Sequence, residues 1–351
     1  MLVLSPLTGY AADHIDRRRI VFATAVLQIL ASLALIPLAG RHGTGAFVAV
    51  LALLVLIGVA RAFRQPASMS LLPLLVPAEG YVRASSISSA IRQVAVIGGP
   101  ALGGVLVAIG ADVAYGTAIA AYVVGALGVL AIPIALRAPA RRTFDWKAAF
   151  AGIAFLRGEP VVAGAITLDL FAVLFGGATA LLPIYAAQIF HTGAVGFGML
   201  RASVAVGTAL MALVLARRPI HRHAGPRLLG SVAVFGAATV AFGLSRSLPV
   251  ALVALAVLGA ADMVSMAVRD ALVALRTPDA MRGRVSALEG VFIVASNELG
   301  EFESGTLASF VGAVPAVVLG GAATIAVVAL WTWRNAALRR ADALLPAEPA
   351  L

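Results

Sequence analysis

From about residue 20 to residue 336 this sequence is a nearly unbroken series of apolar runs, separated by short connections in which arginine recurs. The runs fall at about 20–39, 46–74, 84–110, 114–136, 161–190, 196–216, 227–245, 248–275, 284–311 and 315–336. A bilayer core about 30 Å thick takes roughly 20 apolar residues per helix, so each run has the length of one crossing. Within lipid a spanning segment must satisfy its own backbone hydrogen bonds, which a helix does. Composition agrees: 61% of residues are hydrophobic and 12% charged, with a mean hydropathy of +1.01, whereas about a quarter of a soluble domain is charged. The expected fold class is all-α integral membrane, with little chain left for a soluble domain.

The positive charges set the expected orientation. Alternate connections carry Arg17, Arg18 and Arg19; then Arg137, Arg141, Arg142, Lys147 and Arg157; then Arg217, Arg218, Arg222 and Arg227; then Arg276, Arg282 and Arg284; and finally Arg339 and Arg340. The positive-inside rule places these loops, and the C-terminus, in the cytoplasm. A net charge of +10 is thereby a matter of topology, and no nucleic-acid partner is expected. Cysteine is absent, which excludes disulfides and thiolate metal sites. The five histidines sit in or beside loops and form no convincing metal pair. There is no Gly-x-Ser-x-Gly, no HExxH and no phosphate loop, so no enzyme activity and no cofactor are expected, and ATP is not the direct energy source.

The chain also repeats itself. Arg83–Gly104 and Arg284–Gly305 share a skeleton at a shift of 201, where Gly58 falls on Gly259, Arg61 on Asp262, Pro77 on Pro278, Ser85 on Ser286 and Gly99 on Gly300. Seven ordered coincidences with a shared proline point to a duplicated unit. The loop Gly9–Arg19 aligns likewise with Arg217–Arg227 at a shift of 208. Residue 1 then corresponds to residue 209, and about 48 residues of the second half have no counterpart in the first. Residues 1–12 would reach only about 18 Å as a helix. The reading is of two related bundles, the first lacking one helix and most of a second, through an internal start codon or a fragmentary gene.

Two six-helix halves joined by a long basic linker resemble the major facilitator superfamily of secondary transporters. Gly9, Asp13, Arg17 and Arg18 match that family's loop pattern G-x-x-x-D-R-x-G-R-R, although His14 and Asp16 depart from it; the resemblance implies a conformational latch between helix ends. Gly99, Pro100, Gly103 and Gly104 resemble the end of the antiporter-like G-x-x-x-G-P-x-x-G-G helix motif, with Ala95 in place of the earlier glycine. In the resemblance this favours efflux; the alternative is helix packing through small residues. Arg61 matches an intramembrane arginine of family exporters. Together with ARAFRQPA, TPDAMRGRVSAL and SNELGEFESG, these features resemble the drug and siderophore exporter branch, which includes macrolide-efflux-like proteins.

The resulting layout is an N-terminal bundle at 1–136 (end of helix 2 and helices 3–6), a cytoplasmic linker at 137–160 with an amphipathic helix around Trp146, Phe150 and Ile153, a C-terminal bundle at 161–336 (helices 7–12) and a cytoplasmic tail at 337–351. A charge at mid-bilayer costs on the order of 2.5 to 3.5 kcal/mol, so each one needs a partner, a wet cavity or a function. The candidates are Arg61, Arg92, Asp169, Asp262, Glu289, Asn297, Glu298, Glu301 and Glu303. Helical spacing puts Glu289, Ser296, Gly300 and Glu303 on one stripe; Glu289 and Glu303 are expected to bond a neighbouring helix or to reach the outer interface. Arg269 and Asp270 are expected to be interfacial. Arg61, Asp169, Asp262, Glu298 and Glu301 are the candidates for lining a cavity or coupling transport to protons, Arg61 and Asp262 either facing one cavity or pairing each within its own half.

The function expected is proton-coupled export of small amphipathic organic compounds by alternating access, in a multi-pass protein of the bacterial inner membrane. The expected partners are the small-molecule substrate, protons and the lipid bilayer, with the chain a monomer. The alternatives are an uptake carrier or uniporter of the same fold, or a truncated membrane protein that does not transport.

Overall fold

The described residues of the computed structural model run from 15 to 132 and from 154 to 342, excepting 42, 219, 221 and most positions between 70 and 101. Gly9, Asp13, Arg92, Pro100, the linker segment 137–153 and the tail beyond 342 lie outside them. Among the described residues eight helical segments are long and apolar enough to cross a membrane, and they coincide with apolar runs of the sequence. The chain divides into two compact units, Met1–Phe144 and Asp145–Leu351.

In the first unit α1 (Arg17–Leu35) packs on both α2 (Thr44–Met69) and α3 (Ala111–Leu130). Asp16 caps α1 by accepting a hydrogen bond from the Arg18 backbone N–H at 2.9 Å, satisfying one of the donors that a helix start leaves open. The Arg18 side chain donates to the carbonyls of Val129 and Leu130, at 3.0 and 2.5 Å, where the C-terminal end of α3 leaves acceptors and partial negative charge. Ile20, Val21, Ala67 and Leu71 form the buried apolar contact beneath it. Outward faces are apolar too: Val55 is 66% exposed and Val124 70%. A soluble protein rarely presents such stripes, and a bilayer covers them.

The second unit contains α4 (Pro160–Phe175), α5 (Gly193–Arg217), α6 (Ala224–Leu244), α7 (Leu248–Arg276), α8 (Asp279–Val311), α9 (Ala313–Arg334) and the short α10 (Ala336–Arg339). α5 packs on α7, α7 on α6, and α6 on α9, while α4 packs against α8 and α9. Glycine permits the closest of these contacts. A methyl group added at Gly236 on α6 would lie 3.0 Å from the Gly321 carbonyl on α9, and one added at Gly321 would lie 2.8 Å from the Gly236 carbonyl. Two backbones therefore touch where neither residue has a side chain. At the α5/α7 crossing the Ser203 and Thr208 hydroxyls donate to the carbonyls of Leu252 and Gly259, at 3.0 and 3.1 Å.

One span departs from the continuous helix that its length predicts. The run at 161–190 stops at Gly176–Gly177, passes through a 3₁₀ turn (Ala178–Leu181) and an α turn (Leu182–Ile184), and ends in a π turn (Tyr185–Ile189). The physical reason lies in the residues: two glycines weaken the helix, and Pro183 lacks an N–H to continue it. The irregular backbone is anchored in protein. The buried Tyr185 hydroxyl donates to the Gly243 carbonyl at 3.0 Å, and its ring lies 4.5 Å from that of Phe242.

Candidate functional site

The apolar interior of the second unit contains one dense cluster of charge. Arg269, on α7, is only 4% exposed. Its Nη1 donates to Oδ2 of Asp169 on α4, its Nε donates to Oε1 of Glu289 on α8 at 3.0 Å, and its Nη2 donates to Oδ1 of its neighbour Asp270 at 3.0 Å. Asp169 and Glu289 are 6% and 9% exposed, whereas the Asp270 side chain is 60% exposed. One guanidinium thus ties three helices together. Its planar fork suits this role, because five donors in fixed directions can serve several carboxylates at once.

The three helices bring these groups to one depth. Asp169 lies about 14 Å from the start of α4, Arg269 about 10 Å from the end of α7, and Glu289 about 15 Å from the start of α8, at 1.5 Å per residue. Those helix ends belong together, since Arg276 at the end of α7 pairs with Glu159 at the start of α4 at 3.4 Å. Asp262, Ser265 and Arg269 follow at helical spacing on α7. Asp262 and Ser265 line a small cavity with Asp169, Val173, Val232 and Phe235. Its volume is about 10 Å³, room for about one water molecule. The Ser265 hydroxyl on this wall is buried and makes no hydrogen bond.

Sequence reasoning placed Asp169 and Asp262 among the candidates, and the structure brings both to this cavity. It gave Arg269 an interfacial role, which the structure corrects: Arg269 is buried at the centre of the cluster. Proximity to the helix end misled, because seven residues are only about 10 Å of helix. The signal was present, since Arg269 follows Asp262 by two turns on the same face. The stripe on α8 holds, with Glu289, Ser296 and Gly300 buried and Glu303 half-buried. Glu298 and Glu301 are exposed.

In the first unit Arg61 is exposed, whereas Arg64, three residues on, is half-buried. Arg64 donates to the buried Gln28 at 3.1 Å and lies 5.9 Å above the Tyr122 ring. Arg17 opens α1 half-buried beside Arg18. Gly99, Gly103 and Gly104 lie in helical segments, and a side chain at Gly99 or Gly103 would meet nothing within 4 Å. Among the described residues no cluster of three or more metal-binding side chains occurs.

Helices faced with apolar residues, closed around a buried arginine and carboxylates, define a multi-pass membrane protein. A solved bacterial homolog of the human lysosomal transporter Spinster, inward-facing and unoccupied, superposes with a TM-score of 0.65 at 15% identity, over 95% of this chain and 84% of that one. A D-xylose-proton symporter does so with a TM-score of 0.66 at 15% identity, over 97% and 85%. A family model described as transmembrane secretion effector matches residues 1–349, and the chain belongs to that family, within the major facilitator superfamily. Among curated relatives, the enterobactin exporter EntS of Citrobacter koseri is 28% identical over 253 residues, covering 71% of this chain. The match spans about 60% of that relative's length.

Proposed function

We propose that the protein exports small amphipathic organic compounds from the bacterial cytoplasm in exchange for protons, by alternating access, with its C-terminus cytoplasmic. The observation that carries this reading is the imbalance of buried charge: among the described residues Asp169 and Glu289 pair with one buried cation, Arg269, and a further carboxylate, the half-buried Asp262, lies two turns away on the same face of α7. A surplus of carboxylates in an apolar interior favours proton uptake, while an arginine close by favours the ionised form. A change in the Arg269–Asp169 contact during the transport cycle would therefore bind or release a proton, and the cavity at Asp262 and Ser265 offers a place for the water that carries it. Arg18, on the carbonyl end of α3, acts in the conformational latch with Arg17, Gly9 and Asp13.

The substrate reading follows from the relatives, which are named as exporters of enterobactin. Inside-out vesicles with an imposed pH gradient and enterobactin as the first substrate give the test. Asp169→Asn and Asp262→Asn are each expected to leave substrate movement that no longer responds to the gradient. Wild-type pH coupling in both variants would reject these residues as the coupling site and turn attention to Glu298 and Glu301. The second reading is an uptake carrier, since symporters share this fold; substrate accumulation in the opposite sense of the gradient would establish it.

A further inference from the structure

At the arginine-rich end of the second unit, α4 and the end of α9 line an open groove of about 520 Å³. Its walls are Pro160, Ala163 and Thr167 of α4, Leu330 and Trp331 of α9, and Leu156 of the segment before α4. Two arginines line it, Arg157 from the segment before α4 and Arg334 from the end of α9, both exposed. The carboxylate nearest Arg157 in sequence, Glu159, is engaged by Arg276.

The neutral polar groups of the groove are already engaged with one another. The Trp331 Nε1–H donates to the Thr167 hydroxyl at 3.3 Å, and that hydroxyl donates to the Ala163 carbonyl at 2.6 Å. Asn335 donates from its amide nitrogen to the Pro160 carbonyl at 3.3 Å, and its amide oxygen accepts from the Leu338 N–H at 2.9 Å. A ligand entering here meets apolar side chains and two cations.

We propose that this groove binds the headgroup of an anionic phospholipid. A phosphodiester between two arginines receives charge-assisted, bidentate hydrogen bonds, and the apolar walls continue along the acyl chains. The location favours lipid over a soluble anion, because the groove opens between two membrane spans at their ends. Trp333, near the same end of α9, is 76% exposed, and tryptophan is enriched at the headgroup level of membrane proteins. Basic pockets between spanning helices are a recurrent setting for such lipids.

Tryptophan supplies the readout, since the chain has three, Trp146, Trp331 and Trp333. The full-length W146F/W333F protein in detergent micelles retains Trp331 as its reporter on the groove wall. Phosphatidylglycerol and phosphatidylcholine brominated on the acyl chains would be titrated in turn. Two arginines predict a preference for phosphatidylglycerol of roughly thirtyfold in the concentration that quenches Trp331. R157Q/R334Q should abolish the preference and leave quenching by phosphatidylcholine unchanged, which also reports that the groove is intact. Equal quenching by the two lipids in the parent protein overturns the proposal without recourse to any arginine variant. So does a preference that survives R157Q/R334Q. Displacement of brominated phosphatidylglycerol by excess inorganic phosphate would assign the groove to a soluble anion and overturn it as well.

Discussion

Removing Arg269 alone should harm the protein more than removing the whole charge cluster. The Arg269 side chain is 5% exposed, and its two interior partners, Asp169 and Glu289, have side chains 9% and 12% exposed. Arg269→Met leaves both carboxylates buried without their cation, a loss of about 3 to 5 kcal/mol for a broken buried pair. Asp270 adds little, because a pair with a 60% exposed partner is worth under about 1 kcal/mol. Replacing the set together, as Arg269→Met, Asp169→Leu and Glu289→Met, leaves only the half-buried Asp262 as a charge in that interior, and such neutral replacements of paired ions are often no less stable than the ions. For a unit of roughly 200 residues, the single variant should lose about 10 °C in unfolding midpoint and the triple variant less than half of that. Tryptophan fluorescence in detergent at one fixed scan rate gives the comparison, since unfolding of such proteins is commonly irreversible. A single variant within about 2 °C of wild type would refute the reasoning, as would a triple variant that falls as far as the single one.

Tyr185→Phe removes a buried donor and strands the Gly243 carbonyl, so it should cost about 1 to 2 kcal/mol, read as a lower midpoint in the same assay. Gly236→Val drives a branched side chain into the Gly321 backbone; it should cost at least 1 to 3 kcal/mol and cut the yield of monodisperse protein, and unchanged yield and midpoint would mean that α6 and α9 have room to separate. Arg18→Ala frees the carbonyls of Val129 and Leu130 at the end of α3. Its vesicle transport rate should fall by a larger factor than its expression, and an equal fall in both would reduce Arg18 to a folding role.

The spanning helices of the second unit were legible because hydropathy and length are properties of a segment, and a segment carries them wherever it packs. The departures from that reading are local. Gly176, Gly177 and Pro183 are audible breakers in the sequence, but thirty apolar residues made the length argument louder. The cluster was half legible: Asp169 and Asp262 declared themselves as isolated charges in apolar runs, while Arg269 was masked by its nearness to Arg276. The repeat could not supply the rest. It sets Asp262 opposite Arg61, Arg269 opposite Ser68 and Glu289 opposite Ser88, so the duplication preserved the backbone pattern and let the charges diverge. The partner of a buried charge depends on which helices pack together, and no periodicity along one helix contains that information.

The three-helix tie at Arg269 also dictates an order of manufacture. Asp169 precedes Arg269 by 100 residues, and Arg269 precedes Glu289 by 20. A ribosome adding about 5 to 20 residues per second needs roughly 5 to 20 seconds to bridge the first interval and about 1 to 4 seconds the second. During the longer wait α4 reaches the membrane with an aspartate whose cation has not been made. Until α7 arrives that helix carries the cost of an unpaired charge, on the order of 2.5 to 3.5 kcal/mol at mid-bilayer. Arg269 itself is never so isolated, because it emerges to find Asp169 waiting and Glu289 close behind.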